Sequence, residues 1–327
     1  MKKKILIVIA AMIMVLSACV NSKGNGNAKD QVTIGIVQLI EHEALDNARK
    51  GFEDRMRELN PNVKIEYKNA QGEITTARTI TEKFVKDGVD LIYAIATPAA
   101  QAAAAITKDV PILFSAVTDA EQAGLVESNE KPGANVTGTS DLVDIKGQLS
   151  LVKEINPRAK RVGVIFSADE QNSFIQVEQL KKASAELGLE IVDKSIQNIS
   201  DLPQTAESLS KDIDAFYLLS DNKIASSISL LTDIANKNSI PTICAEEAHV
   251  KAGGLISQGI SYYKLGQQTA DMANKILTDG LKTGDMAVEN SKEVTKIINV
   301  KTVETIGLDK TLNVFKNAKD VNIEENK

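Results

Sequence analysis

The sequence predicts an α/β fold of two doubly wound parallel-sheet lobes joined by a multi-crossover hinge. Three observations carry that expectation. Short β-branched apolar runs alternate with longer helical stretches from Gln31 onward, the alternation restarts near Ile145, and the last helix and strand are too little for a third domain. Alternating strands and helices imply a parallel sheet covered on both faces. Two such series imply two lobes with a cleft between them. The leftover pieces then complete the two lobes, so the chain crosses between them more than once, which makes a hinge able to close on a ligand.

In the first series, Val32 to Val37 reads as a strand and Ala44 to Leu59 as a helix, with Ala48, Phe52, Met56 and Leu59 at three- and four-residue spacing. Val63 to Tyr67 is a second strand, and Thr75 to Lys86 a helix closed by Asp87-Gly88. Leu91 to Ala96 is a third strand; Pro98 suits the first turn of the helix that runs through Ala100 to Ile106. Pro111 to Ser115 and Asn135 to Gly138 add two more strands. The second series has a helix over Ile145 to Ile155, a strand over Arg161 to Phe166, a helix over Ser173 to Leu187 stopped by Gly188, and a strand over Glu190 to Lys194. Leu202 to Leu209, Ala215 to Leu219, Asn222 to Lys237, Pro241 to Ala245 and Gly254 to Ser257 continue it. Tyr262 to Leu281 is a long helix and Val294 to Val300 a strand. The expected division assigns 31–139 with 261–285 to lobe 1, 140–260 with 286–318 to lobe 2, and 319–327 to a tail.

The chain opens with Lys2, Lys3 and Lys4, an apolar run from Ile5 to Leu16, and Ser17-Ala18-Cys19. A basic start, a short apolar run and small residues mark a secretory signal over 1–18. The run is too short to span about 30 Å of hydrocarbon as a helix. Leu16-Ser17-Ala18-Cys19 resembles the lipobox of bacterial lipoproteins, which implies cleavage before Cys19 and diacylglyceryl modification of its thiol. The polar, Gly-containing stretch to Asp30 reads as a flexible tether, 19–30. The expected setting is extracytoplasmic, with the protein anchored to the cell membrane through Cys19.

The net charge of −6 argues against nucleic acid, which needs a basic surface. Lipidated Cys19 would leave Cys244 without a disulfide partner; after Ile240-Pro241-Thr242-Ile243 it reads as a buried, inert thiol. His42 and His249 have no second ligand at metal spacing, so no metal site is expected, and no cofactor fingerprint, phosphate loop or Gly-Xaa-Ser-Xaa-Gly elbow is present. Only these histidines and carboxylates would serve catalysis, so an enzyme is not expected.

Several motifs fall in a telling order: Asn69-Ala70-Gln71-Gly72, Ala96-Thr97-Pro98-Ala99, Ser115-Ala116-Val117-Thr118-Asp119, Gly138-Thr139-Ser140, and Ile298-Asn299-Val300-Lys301-Thr302-Val303. From about Val32 to about Leu312 the chain resembles the solute-binding lipoproteins of ABC importers with the type I periplasmic-binding-protein fold, in the tryptophan or aromatic amino acid branch. Glu73 departs from the Asp expected after Gln-Gly. The resemblance implies a receptor for an amino acid, Trp, Phe or Tyr, that acts as a monomer and docks on a permease with its separate ATPase. A branched amino acid, nucleoside or small sugar, or service as a sensing subunit of a membrane kinase, stays open as an alternative.

Ligands of open parallel sheets bind at the carboxyl ends of strands, where helix N-termini point free N–H groups. That places Gln38 and His42, then Thr97, Pro98 and Ala99, then Val117 and Thr118, in the cleft from lobe 1. Ser167, Asn172, Ser173, Asp221, Asn222 and Glu246 come from lobe 2. The Thr97 hydroxyl with the Ala99 N–H can hold a carboxylate, or Thr97 simply caps its helix. Thr118 has the same two readings. Asp221 either pairs with a ligand ammonium or caps the helix from Asn222, with Glu246 in reserve. His42 can stack on a ligand or be structural. The six Arg residues, Arg49, Arg55, Arg57, Arg78, Arg158 and Arg161, lie in helices or before a strand. Bidentate capture of phosphate or a dicarboxylate is therefore not expected. With no Trp and few aromatics, a sugar-stacking platform is poorly supplied. A zwitterion fits better.

Overall fold

The computed structural model describes residues 31–323. The expected signal, the tether with Cys19, and residues 324–327 lie outside the described residues. The first sheet has the order β11-β5-β4-β3-β1-β2, built from β1 (Thr33–Gln38), β2 (Lys64–Asn69), β3 (Leu91–Ile95), β4 (Ile112–Val117), β5 (Val136–Ser140) and β11 (Glu289–Asn290). Every pair in it is parallel. The second has the order β13-β12-β10-β9-β8-β6-β7, with β6 (Arg161–Ser167), β7 (Glu190–Ile196), β8 (Ala215–Leu218), β9 (Thr242–Cys244), β10 (Ile256–Ile260), β12 (Val294–Ile298) and β13 (Lys319–Asp320). It is parallel except where β12 runs against β10.

Helices cover both faces of each sheet. In the first lobe α1 (Glu43–Leu59) and α10 (Tyr262–Asp279) share one core with β1 and β3, while α2 (Ile74–Asp87) and α3 (Thr97–Ile106) fill the other face. In the second, α4 (Ile145–Ile155), α5 (Gln171–Glu186) and α11 (Val300–Thr305) pack opposite α6 (Leu202–Leu209) and α8 (Ile228–Lys237). Short α7 (Asn222–Ala225) and α9 (Glu247–Lys251) stand at strand ends. The buried faces follow the apolar spacing in the sequence: Ala48, Phe52 and Met56 of α1 are fully buried, and Phe52 stacks on Tyr93 with ring centroids 4.0 Å apart.

The chain passes between sheets after β5, after β10 and after β11. The second passage returns it through α10, which lies against α1 at backbone contact. A Cβ on Gly51 would stand 1.9 Å from the Tyr263 carbonyl oxygen, and one on Gly266 1.9 Å from that of Ala48. Only glycine permits this approach. Tyr263 to Asp54 (2.9 Å) and Arg55 to Asp271 (2.8 Å) fasten the same pair at its surface.

Four details differ from the sequence reading. The helix expected over Asn222 to Lys237 breaks at Ser226-Ser227, where the Ser226 hydroxyl bonds the Lys223 carbonyl (2.7 Å) and competes with the helical ladder. The strand expected at Gly254 starts at Ile256, because a Cβ on Gly254 would lie 2.5 Å from Cys244 Sγ in a tight turn. Glu289 and Asn290, placed in the second lobe by the expected division, pair with β5 of the first sheet. Lys319 and Asp320 of the expected tail pair with β12.

Gly51→Ala and Gly266→Ala should each cost about 3 kcal/mol or more, since the methyl meets backbone rather than a movable side chain. Urea denaturation of either variant measures it; an unchanged midpoint would show that the two helices do not touch there.

Candidate functional site

The carboxyl ends of the two sets of strands face each other across the crossings. At the end of β3, Ala96 takes φ 83° and ψ 152°, a region almost reserved for glycine, and Ala116 at the end of β4 has φ 57°. Such conformations cost on the order of 1–3 kcal/mol and persist only where the surroundings enforce them. The strain at Ala96 starts α3 without a capping side chain and without an acidic residue in its first turn. The early N–H groups of α3 are thus left for something else. Beside them Thr97 is 2 % exposed, and its Oγ1 has no hydrogen-bond partner.

From the second lobe, Asn172 Nδ2 donates to the Ser220 carbonyl (3.0 Å), while its Oδ1 is buried without a partner. Gln176 spans the lobes: its Oε1 accepts from the Ser220 N–H (3.1 Å), and its Nε2 donates to Thr118 Oγ1 (3.4 Å). Four further contacts join the lobes: Gln101 Nε2 to Gln171 Oε1 (2.7 Å), Gln171 Nε2 to the Gln122 carbonyl (2.9 Å), Lys251 to Glu43 (2.9 Å), and His42 Nε2 near Asn222 Oδ1 (3.5 Å). Between them lies a cavity of about 290 Å³ lined by Leu39, Ile40, Ile74 and Pro98 on one side and Ile199, Asn222 and Lys223 on the other.

Several expected ligand contacts are consumed by the protein itself. Asp221 accepts from the Ser167 N–H (2.7 Å) and hydroxyl (2.8 Å), the Ser173 hydroxyl (2.7 Å) and the Ile224 N–H (2.9 Å). Four donors saturate it as a cap and anchor, which leaves the ammonium reading of Asp221 no free oxygen and occupies Ser167 and Ser173 as donors. Gln38 is fully buried; it donates to the Ile40 carbonyl and to Asp46 (both 2.8 Å) and accepts from Arg49 (3.2 Å). The Val117 carbonyl accepts from the Asp141 N–H (3.3 Å), while the Ala99 side chain is buried in the first-lobe core and its N–H is among the early ones of α3.

Glu170, absent from the sequence reading, caps α7 by accepting from the N–H groups of Asn222 (3.0 Å) and Lys223 (2.9 Å) and from the Asn222 amide. Burial, with Asp221 close by, pushes its carboxyl up to about 7. Asp141, Gln176 and Tyr262 were likewise not foreseen. Tyr262 donates to Asp141 Oδ2 at 2.8 Å and stands 3.3 Å from Glu246 Oε1. Asp141 Oδ1 and Glu246 Oε2 are buried without partners. Burial and Asp141 together push Glu246 up to about 8, and burial raises Asp141. His42 is lowered to about 4 and His249 to about 3, both by burial, so each imidazole is neutral. Cys244 is the buried thiol expected, pushed up to about 12 by desolvation. Among the described residues, no cluster of three or more His, Cys, Asp or Glu is placed to hold a metal ion, and no helix is long and apolar enough to cross a membrane.

Comparison with known proteins agrees with this geometry. A tyrosine-binding protein of Clostridioides difficile (strain R20291) is 42 % identical over 94 % of this chain and 93 % of its own length. An ABC domain from Streptococcus pneumoniae, solved in complex with L-Trp, superposes with a TM-score of 0.85 at 32 % identity, covering 89 % of this chain and 99 % of that one. A ligand-free, open substrate-binding protein with adhesive properties from Clostridium difficile, 42 % identical over 89 % of this chain and 99 % of its own, superposes at only 0.69. The less similar of these two structures is the better match. The ABC transporter substrate-binding protein family, a family of solute-binding proteins rather than enzymes, matches residues 33–322, and the chain belongs to it.

Proposed function

We propose that this substrate-binding receptor takes up an aromatic amino acid, tyrosine or tryptophan, between its lobes and delivers it to a membrane permease. The observation that carries the reading is the uncapped N-terminus of α3 beside the buried, partnerless Thr97 Oγ1. N–H groups at a helix start, with the positive end of the helix dipole, favour a carboxylate. The hydroxyl supplies a further donor, so the α-carboxylate of an amino acid fits there. Pro98, Ile74, Leu39 and Ile40 give an apolar wall for a side chain. The tyrosine-binding and L-Trp-bound relatives support the aromatic choice.

The absence of Trp from the chain makes the test direct, since added tryptophan supplies the only indole. Its emission should change saturably on titration. With L-tyrosine or L-tryptophan at about 100 times Kd, the native state should gain about 2.7 kcal/mol, read as a higher melting temperature. No shift with either, alongside a clear one with leucine, a nucleoside or a small sugar, would overturn the aromatic assignment.

Attachment through a lipidated Cys19 would hold the receptor within reach of its permease, because two acyl chains suffice for stable anchoring. Cys19→Ser should then move the protein from the membrane fraction to the soluble one. Unchanged partitioning would reject the anchor.

A further inference from the structure

Helix α5 meets the first lobe at two depths. Gln176 is buried and donates to Thr118 (3.4 Å). Gln171, the first residue of α5 and the neighbour of Asn172, is exposed and puts both ends of its amide onto the other lobe. Its Oε1 accepts from Gln101 Nε2 (2.7 Å), and its Nε2 donates to the Gln122 carbonyl (2.9 Å). The partners dictate which end goes where: turned over, the amide would set N–H against N–H and oxygen against oxygen.

The receiving side belongs wholly to the first lobe and holds its own shape. Gln101 stands one turn into α3 after Thr97, and its Nε2 also donates to the Ala123 carbonyl (2.8 Å). Gln122 and Ala123 lie in the turn that follows β4. Asp119 fixes that turn: its carboxylate accepts from the Gln122 N–H (3.0 Å) and amide (2.6 Å), and its carbonyl accepts from the Ala123 N–H (3.0 Å). None of these bonds crosses the cleft. The lobes are also joined where Lys251 of α9 meets Glu43 of α1 and Glu247 of its own helix (both 2.9 Å). That contact is ionic and half-exposed, so salt screens it. The amide pair carries no charge and is not screened.

We propose that Gln171 is the latch of this receptor: seated in the socket formed by Gln101 and the Gln122 carbonyl, it holds the lobes closed and sets how fast a bound ligand leaves. This rests on the reading of the chain as a receptor that takes a small molecule between its lobes. Gln171 acts as a positioning residue, since it holds the start of α5, and Asn172 with it, against the first lobe. Because the bonds within the socket lie in one lobe, opening empties the socket without dismantling it. A ligand enters before the socket is filled and leaves only after it is emptied. Loss of the latch therefore raises the dissociation rate and leaves the association rate nearly unchanged. Water competes for exposed amides, so the two bonds together correspond to about five- to tenfold slower release.

The test is stopped-flow fluorescence on the purified full chain, with L-tryptophan as the probe because the protein has no Trp of its own. Gln171→Ala removes both bonds. Gln171→Glu keeps the size and the acceptor for Gln101 but turns a carboxylate oxygen towards the Gln122 carbonyl. Both should release tryptophan about five- to tenfold faster, with association changed by less than about twofold and the melting temperature of the unliganded protein unchanged. Adding Gln101→Ala to Gln171→Ala should speed release no further, because the latch is already lost. The ratio of the Gln171→Ala rate to the native rate should hold from about 0.05 M to about 1 M salt, a range over which an exposed ion pair fades.

Native release rates in both folded Gln171 variants overturn the latch. So does an affinity loss carried by the association rate, or a further acceleration when Gln101→Ala is added. A lower melting temperature of both unliganded variants would place the role of Gln171 within its own lobe and overturns it too. If L-tryptophan fails to bind the native protein, radiolabelled L-tyrosine, L-leucine, adenosine and glucose replace it. Faster release of whichever one binds keeps the latch, and the aromatic assignment falls if that compound is leucine, adenosine or glucose. Binding of none of them overturns the latch together with the receptor reading.

Discussion

Everything in this molecule is arranged around one constraint: the chain passes between its two sheets three times, at neighbouring points. Those passages set which edges of the sheets meet, and therefore which strand ends face each other. The α1–α10 contact makes the arrangement firm, because α10 is the element that returns the chain to the first lobe, and Gly51 and Gly266 let its backbone rest on that of α1. With α10 fixed, Tyr262 at its start has one place to stand. The hydroxyl triangle of Ser115, Thr139 and Thr269, with separations of 2.6 to 2.9 Å, ties the same helix to β4 and β5 just beneath the cleft. Satisfied buried polar groups of this kind cannot shift singly.

Much of this architecture was legible in the sequence, since strand and helix periodicities differ and each interruption has a chemical cause. The Asp87-Gly88 stop, for example, is a left-handed Gly88 at the end of α2. Thr97, Asn172 and Glu246, which the sequence places among the candidate ligand contacts, each keep a buried oxygen without a protein partner. Asp221 was not separable by the same logic: a helix-capping carboxylate and a ligand-binding one occupy the same sequence position, and only the count of four protein donors distinguishes them. Asp141 and Tyr262 escaped for a different reason. They sit at the segments that pass between lobes, where no period marks which polar side chains are buried. The positive φ of Ala96 had no signal at all, since alanine gives no hint of a glycine-like conformation.

Buried oxygens without protein partners occur on both lobes and on the segment that joins them. Thr97 Oγ1, Asn172 Oδ1, Asp141 Oδ1 and Glu246 Oε2 are all removed from solvent without a protein partner. Each such atom costs about 1–3 kcal/mol relative to one that keeps its hydrogen bond to water. On the function proposed above, a ligand held between the lobes would supply the partners that these atoms lack. A ligand can shift the two forms only by as much as it prefers one of them. On the proposed function, the atoms that meet the ligand would also bias the lobes towards the arrangement that holds it. Asp221, Ser167 and Ser173 illustrate the complementary case. Their hydrogen bonds lie within one lobe, are not made across the cleft, and so contribute to the lobe's rigidity without biasing the choice between open and closed.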